Sequence, residues 1–364
     1  MTFPNVQNIL RLLIVDDSAY NRRNIADIFV NVPEVEVVGK AADGEEALRL
    51  ASLLKPDMIT LDLEMPRMDG FTFLRILMSK QPTPVIVVSS YSQKENVFKA
   101  LELGALDFVT KPDRQIAPDA TDLKEQILAK VMQFRRARGQ LGRLGGTPRR
   151  IPSGIFSDGE VPSSNRPLPS ITPFRPPRHV VAIASSTGGP SALLEIFGKL
   201  PAHTMASYVI AQHMPDKFTR TFAERLGRKG PVRVSEAQDG DRLSAAVGFV
   251  CPGRQCMEVV GRAGDYTLRV SSAQPTDKCV PSADRLLKSA AATAGVRCVG
   301  VILTGMGDDG VEGARAIRQA GGVVLAESAE TAVVHGMPGA AVRAGVVTHE
   351  LPLGQIAEFL AKLS

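Results

Sequence analysis

A chain of 364 residues, 44% of them hydrophobic, is longer than one ordinary core requires and is expected to hold two domains. Its formal charge of +5 is too small to mark a nucleic-acid surface, and its four cysteines, Cys251, Cys256, Cys279 and Cys298, have neither C-x-x-C spacing nor disulfide-scaffold density, so they are expected to be reduced and buried. Asn5 to Leu13 lacks the apolar core of a signal peptide and no apolar run is long enough to span a bilayer, which predicts a cytoplasmic protein.

From Leu10 to about Arg138, apolar runs at Leu10–Val15, Val35–Gly39, Met58–Leu61, Val85–Val88 and Leu106–Val109 alternate with amphipathic stretches. That alternation predicts an α/β domain with a five-stranded, doubly wound parallel sheet. The carboxyl ends of such strands share one edge. Asp16 and Asp17 close the first run there, and Asp62 closes the third. Clustered carboxylates repel unless a cation lies among them, and an all-oxygen set suits Mg²⁺. Ser89 follows the fourth run, while Lys111 and Pro112 follow the fifth, supplying a hydroxyl and an ammonium for phosphate oxygens. Taken singly, Asp16 and Asp17 favour the plain capping of a helix. Their joint order with the other strand ends points to a phosphate site. Asp122 to Arg138 reads as a terminal helix with Leu123, Ile127, Val131 and Phe134 on one face.

With Asp16-Asp17, Leu61-Asp-Leu-Glu-Met-Pro-Arg-Met-Asp-Gly70, Val88-Ser-Ser and Val109-Thr-Lys-Pro112 in that order, the segment from Leu10 to Phe134 resembles the receiver domain of two-component response regulators. The resemblance implies that Asp62 accepts a phosphoryl group from a histidine kinase. It further implies Mg²⁺ held by Asp17, Asp62 and the backbone carbonyl of Glu64, with Asp16 in support. Ser89 would be the switch hydroxyl, Phe108 the rotating aromatic and Lys111 the phosphate contact. A cis bond before Pro112 is also implied, which an X-Pro site adopts cheaply.

Gly139 to Arg178 has no sustained apolar period. Prolines recur from Pro148 to Pro177, and arginines far outnumber Asp158 and Glu160. This composition predicts a flexible basic linker whose ends lie about 35 Å apart on average. A solubilising tether and a docking segment for an acidic partner both fit it.

From His179 the alternation resumes. Strands are predicted at Val180–Ala184, Ser207–Gln212, Val247–Cys251, Cys298–Leu303, Val323–Ala326 and Val346–Val347, with a hairpin of Val259–Val260 and Thr267–Val270 about Gly264-Asp-Tyr. Helices are predicted at Ser191–Gly198, Phe218–Leu226, Ser282–Ala294 and Gly313–Ala320. A second, larger Rossmann-like α/β domain follows, so the chain divides into 1–138, a linker at 139–178, and 179–364.

Its first strand runs into Ser185-Ser-Thr-Gly-Gly-Pro190 and then a helix. A hydroxyl on such a turn meets unpaired helix N–H groups, as a nucleophile or as part of a phosphate-binding turn. Local pattern leaves both open. A nucleophile needs a base. Of the five histidines, His213 ends the second strand and faces the same crevice, while His335 in Val-Val-His-Gly-Met-Pro is its competitor. His179 lies at the wrong end of its strand, His203 in a turn and His349 near the C-terminus. An orienting acid is available in Asp308 or Asp309 after the Cys298 strand, although Asp-Gly also forms turns. Gly305, Gly307 and Gly310 bare the backbone around Met306, whose N–H is placed to meet an oxyanion. Ser, His and Asp at three strand ends constitute an acyl-transfer constellation. No His/Asp/Glu cluster with metal-ligand spacing is evident in this half.

Ser186-Thr-Gly-Gly, Gln212-His-Met-Pro and Thr304-Gly-Met-Gly-Asp-Asp-Gly310 resemble the signature segments of chemotaxis protein-glutamate methylesterases, over about His179 to Leu363. The resemblance implies Ser186 as nucleophile, His213 as base, Asp309 as orienter, and an oxyanion site at the Met306 N–H with Thr187. It implies cofactor-free hydrolysis of glutamate γ-methyl esters, and deamidation of glutamines, on methyl-accepting chemoreceptors, through which alone the protein meets the membrane. It also implies inhibition by the receiver that phosphorylation of Asp62 relieves. Two positions depart from the family: Ser185 replaces the usual Ala, giving two adjacent hydroxyls, and Asp308 replaces the common Asn, adding a charge that favours a protonated imidazole. A transcriptional regulator would need a helix-turn-helix, which alternating strands and helices do not supply. An inactive signalling scaffold and a hydrolase for an ester outside chemotaxis stay open.

Overall fold

The computed structural model describes residues 9–90, 94–111, 120–143, 174–262 and 264–363, without the side chains of 120–122 and 137–143. The bond before Pro112 and most of the predicted linker lie outside these residues. The chain separates into two compact units, Met1–Ile155 and Phe156–Ser364.

In the first unit β1 (Leu10–Val15), α1 (Ala19–Asp27), β2 (Val35–Ala41), α2 (Gly44–Leu54), β3 (Met58–Leu61), α3 (Gly70–Lys80), β4 (Val85–Ser90), α4 (Lys94–Glu102), β5 (Asp107–Lys111) and α5 (Ala120–Arg143) follow in turn. The strands are all parallel, in the order β2-β1-β3-β4-β5. Helices cover both faces of such a sheet, which is why β1, β3 and β4 are nearly continuous apolar runs. Helix entries are fixed locally: the Asp43 carboxylate accepts the Glu45 and Glu46 amides at 2.8 and 2.9 Å, and Asp69 accepts the Thr72 amide at 2.7 Å. Several predicted ends move. β4 and β5 continue far enough to pair Ser89 with Thr110 and Ser90 with Lys111. Helix α5 passes Arg138 because no proline stands before Pro148 to stop it.

The second unit runs β6 (His179–Ser185), α6 (Gly189–Lys199), β7 (Ala206–Gln212), α7 (Asp216–Lys229), β8 (Arg233–Glu236), β9 (Val247–Val250), β10 (Gln255–Arg262), β11 (Asp265–Ser272), α8 (Ala283–Ala294), β12 (Cys298–Ile302), α9 (Val311–Gln319), β13 (Val323–Glu327), α10 (Met337–Arg343), β14 (His349–Leu351) and α11 (Leu353–Ala361). Seven parallel strands form one sheet, ordered β14-β13-β12-β6-β7-β9-β8. The chain leaves β6 towards β7 and later returns to β6's other side as β12, so the strand order reverses at the β6/β12 boundary. Crevices for ligands open at that boundary in sheets of this kind. The predicted hairpin is a separate antiparallel pair, in register from Gln255 opposite Ser272 to Arg262 opposite Asp265. Val180, Ala182 and Ala184 of β6 share a core with Leu286 and Leu287 of α8 and Ile317 of α9.

The predicted strand at Val346–Val347 is a correction. Those valines pack on the core as loop, and the strand begins three residues later. Thr348 sets that register, its amide donating to Val324 O at 2.8 Å while its hydroxyl accepts from Val324 N at 2.9 Å. Edge strand β8 and helices α10 and α11 were not anticipated. The first reads Arg-Val-Ser-Glu with only Arg233 and Ser235 exposed, and α10 is only seven residues long. In α11, Leu353, Ile356, Ala357 and Leu360 do carry the helical spacing. All four cysteines are free thiols, but Cys279 is half-buried rather than buried.

Candidate active site

The first unit's sheet order reverses between β1 and β3, and there Asp16, Asp17 and Asp62 bring carboxylate oxygens within 4.8 Å of one another. Asp16 and Asp62 are buried and Asp17 is exposed. Lys111 closes the group: its Nζ donates to Asp16 Oδ2 at 3.0 Å and to Asp62 Oδ2. Burial raises the Asp62 pKa, Lys111 partly counters that, and the Asp16 charge adds to the rise. One ammonium therefore leaves a net negative, all-oxygen cluster, the chemistry a hard divalent cation satisfies. Ser89 is fully buried at the end of β4, and Phe108 is buried edge-on to Phe98, 6.5 Å between ring centres. Glu64 is exposed, its amide donating to Asp62 Oδ1 at 3.4 Å.

In the second unit three neighbouring strands, β12, β6 and β7, deliver Asp309, the two serines and His213 to one edge of the sheet. His213 Nε2 lies 2.9 Å from Asp309 Oδ2. Asp309, 2% exposed, also accepts the Ala283 amide on Oδ2 and the Asp284 amide on Oδ1, each at 2.9 Å, from the first turn of α8. Burial alone would raise this carboxyl's pKa. The His213 hydrogen bond and the two amides outweigh it and hold the pKa below the ordinary value. Reciprocally, Asp284 Oδ1 accepts the Gly310 and Gly313 amides at 3.0 and 2.8 Å, at the start of α9. The starts of α8 and α9 thus cross-cap each other and fix the loop that carries Asp309.

The two serines are in unlike surroundings. Ser185 is fully buried, and its Oγ donates to Gln212 Oε1 at 2.7 Å. Ser186 is half-buried, its amide bonded to Thr304 O at 3.1 Å and its carbonyl accepting from Gly189 N at 2.8 Å and Gln212 Nε2 at 2.9 Å. Gly305 lies directly against it: a Cβ at Gly305 would stand 2.8 Å from Ser186 Cβ and 3.0 Å from Ser186 N. That close approach brings the Gly305–Met306 peptide alongside Ser186. Thr187 is buried, its carbonyl accepting the Thr304 hydroxyl at 2.9 Å. His335, the competing base, pairs with Gly305 in an isolated bridge and places Nε2 3.4 Å from Glu350 Oε1.

Residues 181–360 match the family described as CheB methylesterase, and residues 12–118 match the response regulator receiver domain. Along the whole chain, similarity extends to the protein-glutamate methylesterase/protein-glutamine glutaminase 1 of Myxococcus xanthus, 43% identical over 98% of each chain. The corresponding protein 3 of Geobacter sulfurreducens is 45% identical over 93% of each chain. That of Pyrococcus abyssi is 39% identical over 97% of this chain and 93% of its own. The chain belongs to the CheB methylesterase family, with an amino-terminal receiver.

Within this CheB-family chain, several residues bearing on the site had no role in the sequence reading. Gln212 ties Ser185 Oγ, Ser186 O and His213 O together, the last at 3.0 Å. A lone amide ending an apolar strand was the available signal, because a buried amide must be bonded. Asp284, in the first turn of α8, holds the Gly310 and Gly313 amides. Glu327, buried at the end of β13, accepts the Thr304 amide at 2.8 Å. Asp308, the added charge, is 65% exposed and pairs with Lys278 at 3.2 Å. Cys279 was set aside as a core thiol. Its Sγ in fact stands within 4.8 Å of donor atoms of His213 and Asp309, a grouping that sequence spacing does not reveal because the three residues lie far apart along the chain.

Proposed function

We propose that this chain hydrolyses γ-methyl esters of glutamate, and deamidates glutamine, on methyl-accepting chemoreceptors, with Ser186 as nucleophile, His213 as base and Asp309 as its orienter. The observation that carries the assignment is the His213–Asp309 contact of 2.9 Å, with a half-buried Ser186 whose carbonyl shares the Gln212 amide with that of His213, while the neighbouring Ser185 hydroxyl is committed to Gln212. Asp309 engages Nε2, so Nδ1 is the nitrogen that takes the serine proton. The alkoxide attacks the ester carbonyl carbon, and the tetrahedral oxyanion meets the Met306 N–H and Thr187, each donor worth about 3–4 kcal/mol of barrier. The imidazolium returns its proton to the methoxy oxygen as the C–O bond breaks and methanol leaves. Water, deprotonated by His213, then cleaves the acyl-enzyme and regenerates Ser186. An amide passes through the same intermediate with ammonia leaving.

In the receiver, Asp62 attacks the phosphorus of a kinase phosphohistidine, forming a P–O bond as the P–N bond breaks. Asp17, Asp62 and the Glu64 carbonyl, with Asp16 in support, would hold Mg²⁺, which when bound neutralises the carboxylates and the incoming phosphoryl oxygens. Lys111 offsets the charge of Asp62 and binds a phosphoryl oxygen. Ser89 and Phe108 respond to the phosphoryl group, and inhibition of the esterase is relieved. Release of methanol from methylated receptor membranes by the native chain and by Ser186→Ala tests the assignment. Equal release moves the nucleophile elsewhere, and none from either protein removes the substrate.

A further inference from the structure

Cys279 lies on the segment entering α8, half-buried, with its Sγ, a ring nitrogen of His213 and a carboxylate oxygen of Asp309 all within 4.8 Å of one another. Three donors of different chemistry converge from three separate parts of the chain. We infer that this cluster binds a thiophilic divalent cation of the Zn²⁺ class, and that the bound ion switches the hydrolase off.

One thiolate, one imidazole and one carboxylate form a three-ligand set that Zn²⁺ accepts, with water in the fourth position. Sulfur and nitrogen donors select against Mg²⁺ and Ca²⁺, so the site is chemically distinct from the all-oxygen cluster of the receiver. Thiolate and carboxylate together neutralise the ion. Asp308 and Asp284 add negative potential at Cys279, and the ammonium of Lys278 is occupied by Asp308 at 3.2 Å. Burial first, and then these carboxylates, push the thiol pKa up to about 11. Binding replaces the S–H bond by an S–metal bond and releases that proton to water, while His213 stays neutral and offers one ring-nitrogen lone pair, the Nε2 proton moving to Nδ1 where Nε2 is the ligand. The Ala283 and Asp284 amides remain to orient the Asp309 carboxylate.

Inhibition follows because the ion occupies a ring nitrogen of His213 and a carboxylate oxygen of Asp309, the two groups that otherwise act together on the serine proton. That consequence rests on the roles proposed above for His213 and Asp309, whereas binding itself does not. The test uses the full-length chain with millimolar Mg²⁺ filling the receiver cluster. Titration with Co²⁺, a spectroscopic substitute for Zn²⁺, is expected to produce a thiolate-to-cobalt charge-transfer band saturating at one ion per chain. Cys279→Ser and Cys279→Ala are expected to lose the band. Zn²⁺ is expected to inhibit methanol release, each protein referred to its own metal-free rate, with an inhibition constant at least about tenfold weaker in both variants. Loss of a mere supporting partner already weakens metal sites by that factor. Absence of the band in the native chain, its persistence in the variants, or equal inhibition of all three proteins overturns the inference. If no protein releases methanol, the functional reading fails while the band still decides the metal site.

Discussion

The carboxylate of Asp309 receives His213 Nε2 and the Ala283 amide on one oxygen and the Asp284 amide on the other. Three donors leave it no freedom to turn, so it fixes both the tautomer and the plane of the imidazole. Asp309→Asn would present an NH₂ group to groups that are themselves donors. The expected result is a fall in kcat for methanol release of about 10⁴-fold, as when the orienting acid of a serine triad is amidated. A loss below tenfold would show that His213 does not depend on this carboxylate.

Ser185 and Ser186 should separate stability from chemistry. Ser185→Ala removes the donor to Gln212 Oε1 in a fully buried position and is expected to cost about 1–3 kcal/mol. Ser186→Ala removes a hydroxyl from a half-buried position, and its unfolding midpoint in urea should stay near that of the native chain while methanol release disappears. If the two substitutions exchange these outcomes, Ser185 is the nucleophile.

The strand ends were legible because apolar runs break where a parallel sheet needs its crevice, and Asp16, Asp62, Ser186, His213 and Asp309 all stand at such breaks. Less visible was whatever depends on two segments meeting. Ser185 and Ser186 are indistinguishable as letters, and only the Gln212 side chain across β7 commits one of them. Cross-capping by Asp284 and Asp309 joins residues 25 apart. Cys279 reads as a core thiol until α8 and the loop after β12 bring it beside His213. Val346, buried, and Val347, half-buried, mimic a strand, yet packing on the core alone does not pair a backbone.

Lys111 should compete with Mg²⁺ for the carboxylates of Asp16 and Asp62. Lys111→Met leaves both buried acids without their cation and is expected to destabilise the first unit by about 3 kcal/mol or more. Added Mg²⁺ should then raise the melting temperature of the variant by more than that of the native chain, because no ammonium has to be displaced. A shift equal to or smaller than the native one would remove Lys111 from the cation cluster. Asp62→Asn should take up no phosphoryl group from a small-molecule phosphodonor, as judged by intact mass.

Glu327 gives the second unit a pH-dependent stability. Burial raises its pKa from 4.5 to about 7, against the opposing hydrogen bonds from the Thr304 amide and Thr331. The folded chain therefore holds this proton more tightly than the unfolded chain. Its contribution is fully present below pH 4.5, declines as pH rises, and is lost by about pH 7. A shift of this size corresponds to a loss on the order of 3 kcal/mol. Glu327→Gln keeps an acceptor for the Thr304 amide, 2.8 Å away, and carries no charge at any pH. Urea unfolding of the second unit at intervals across that range should show the native chain losing stability relative to the variant as pH rises. Parallel profiles would mean that Glu327 is ionised in the folded protein throughout, its charge met by the Thr304 and Thr331 donors.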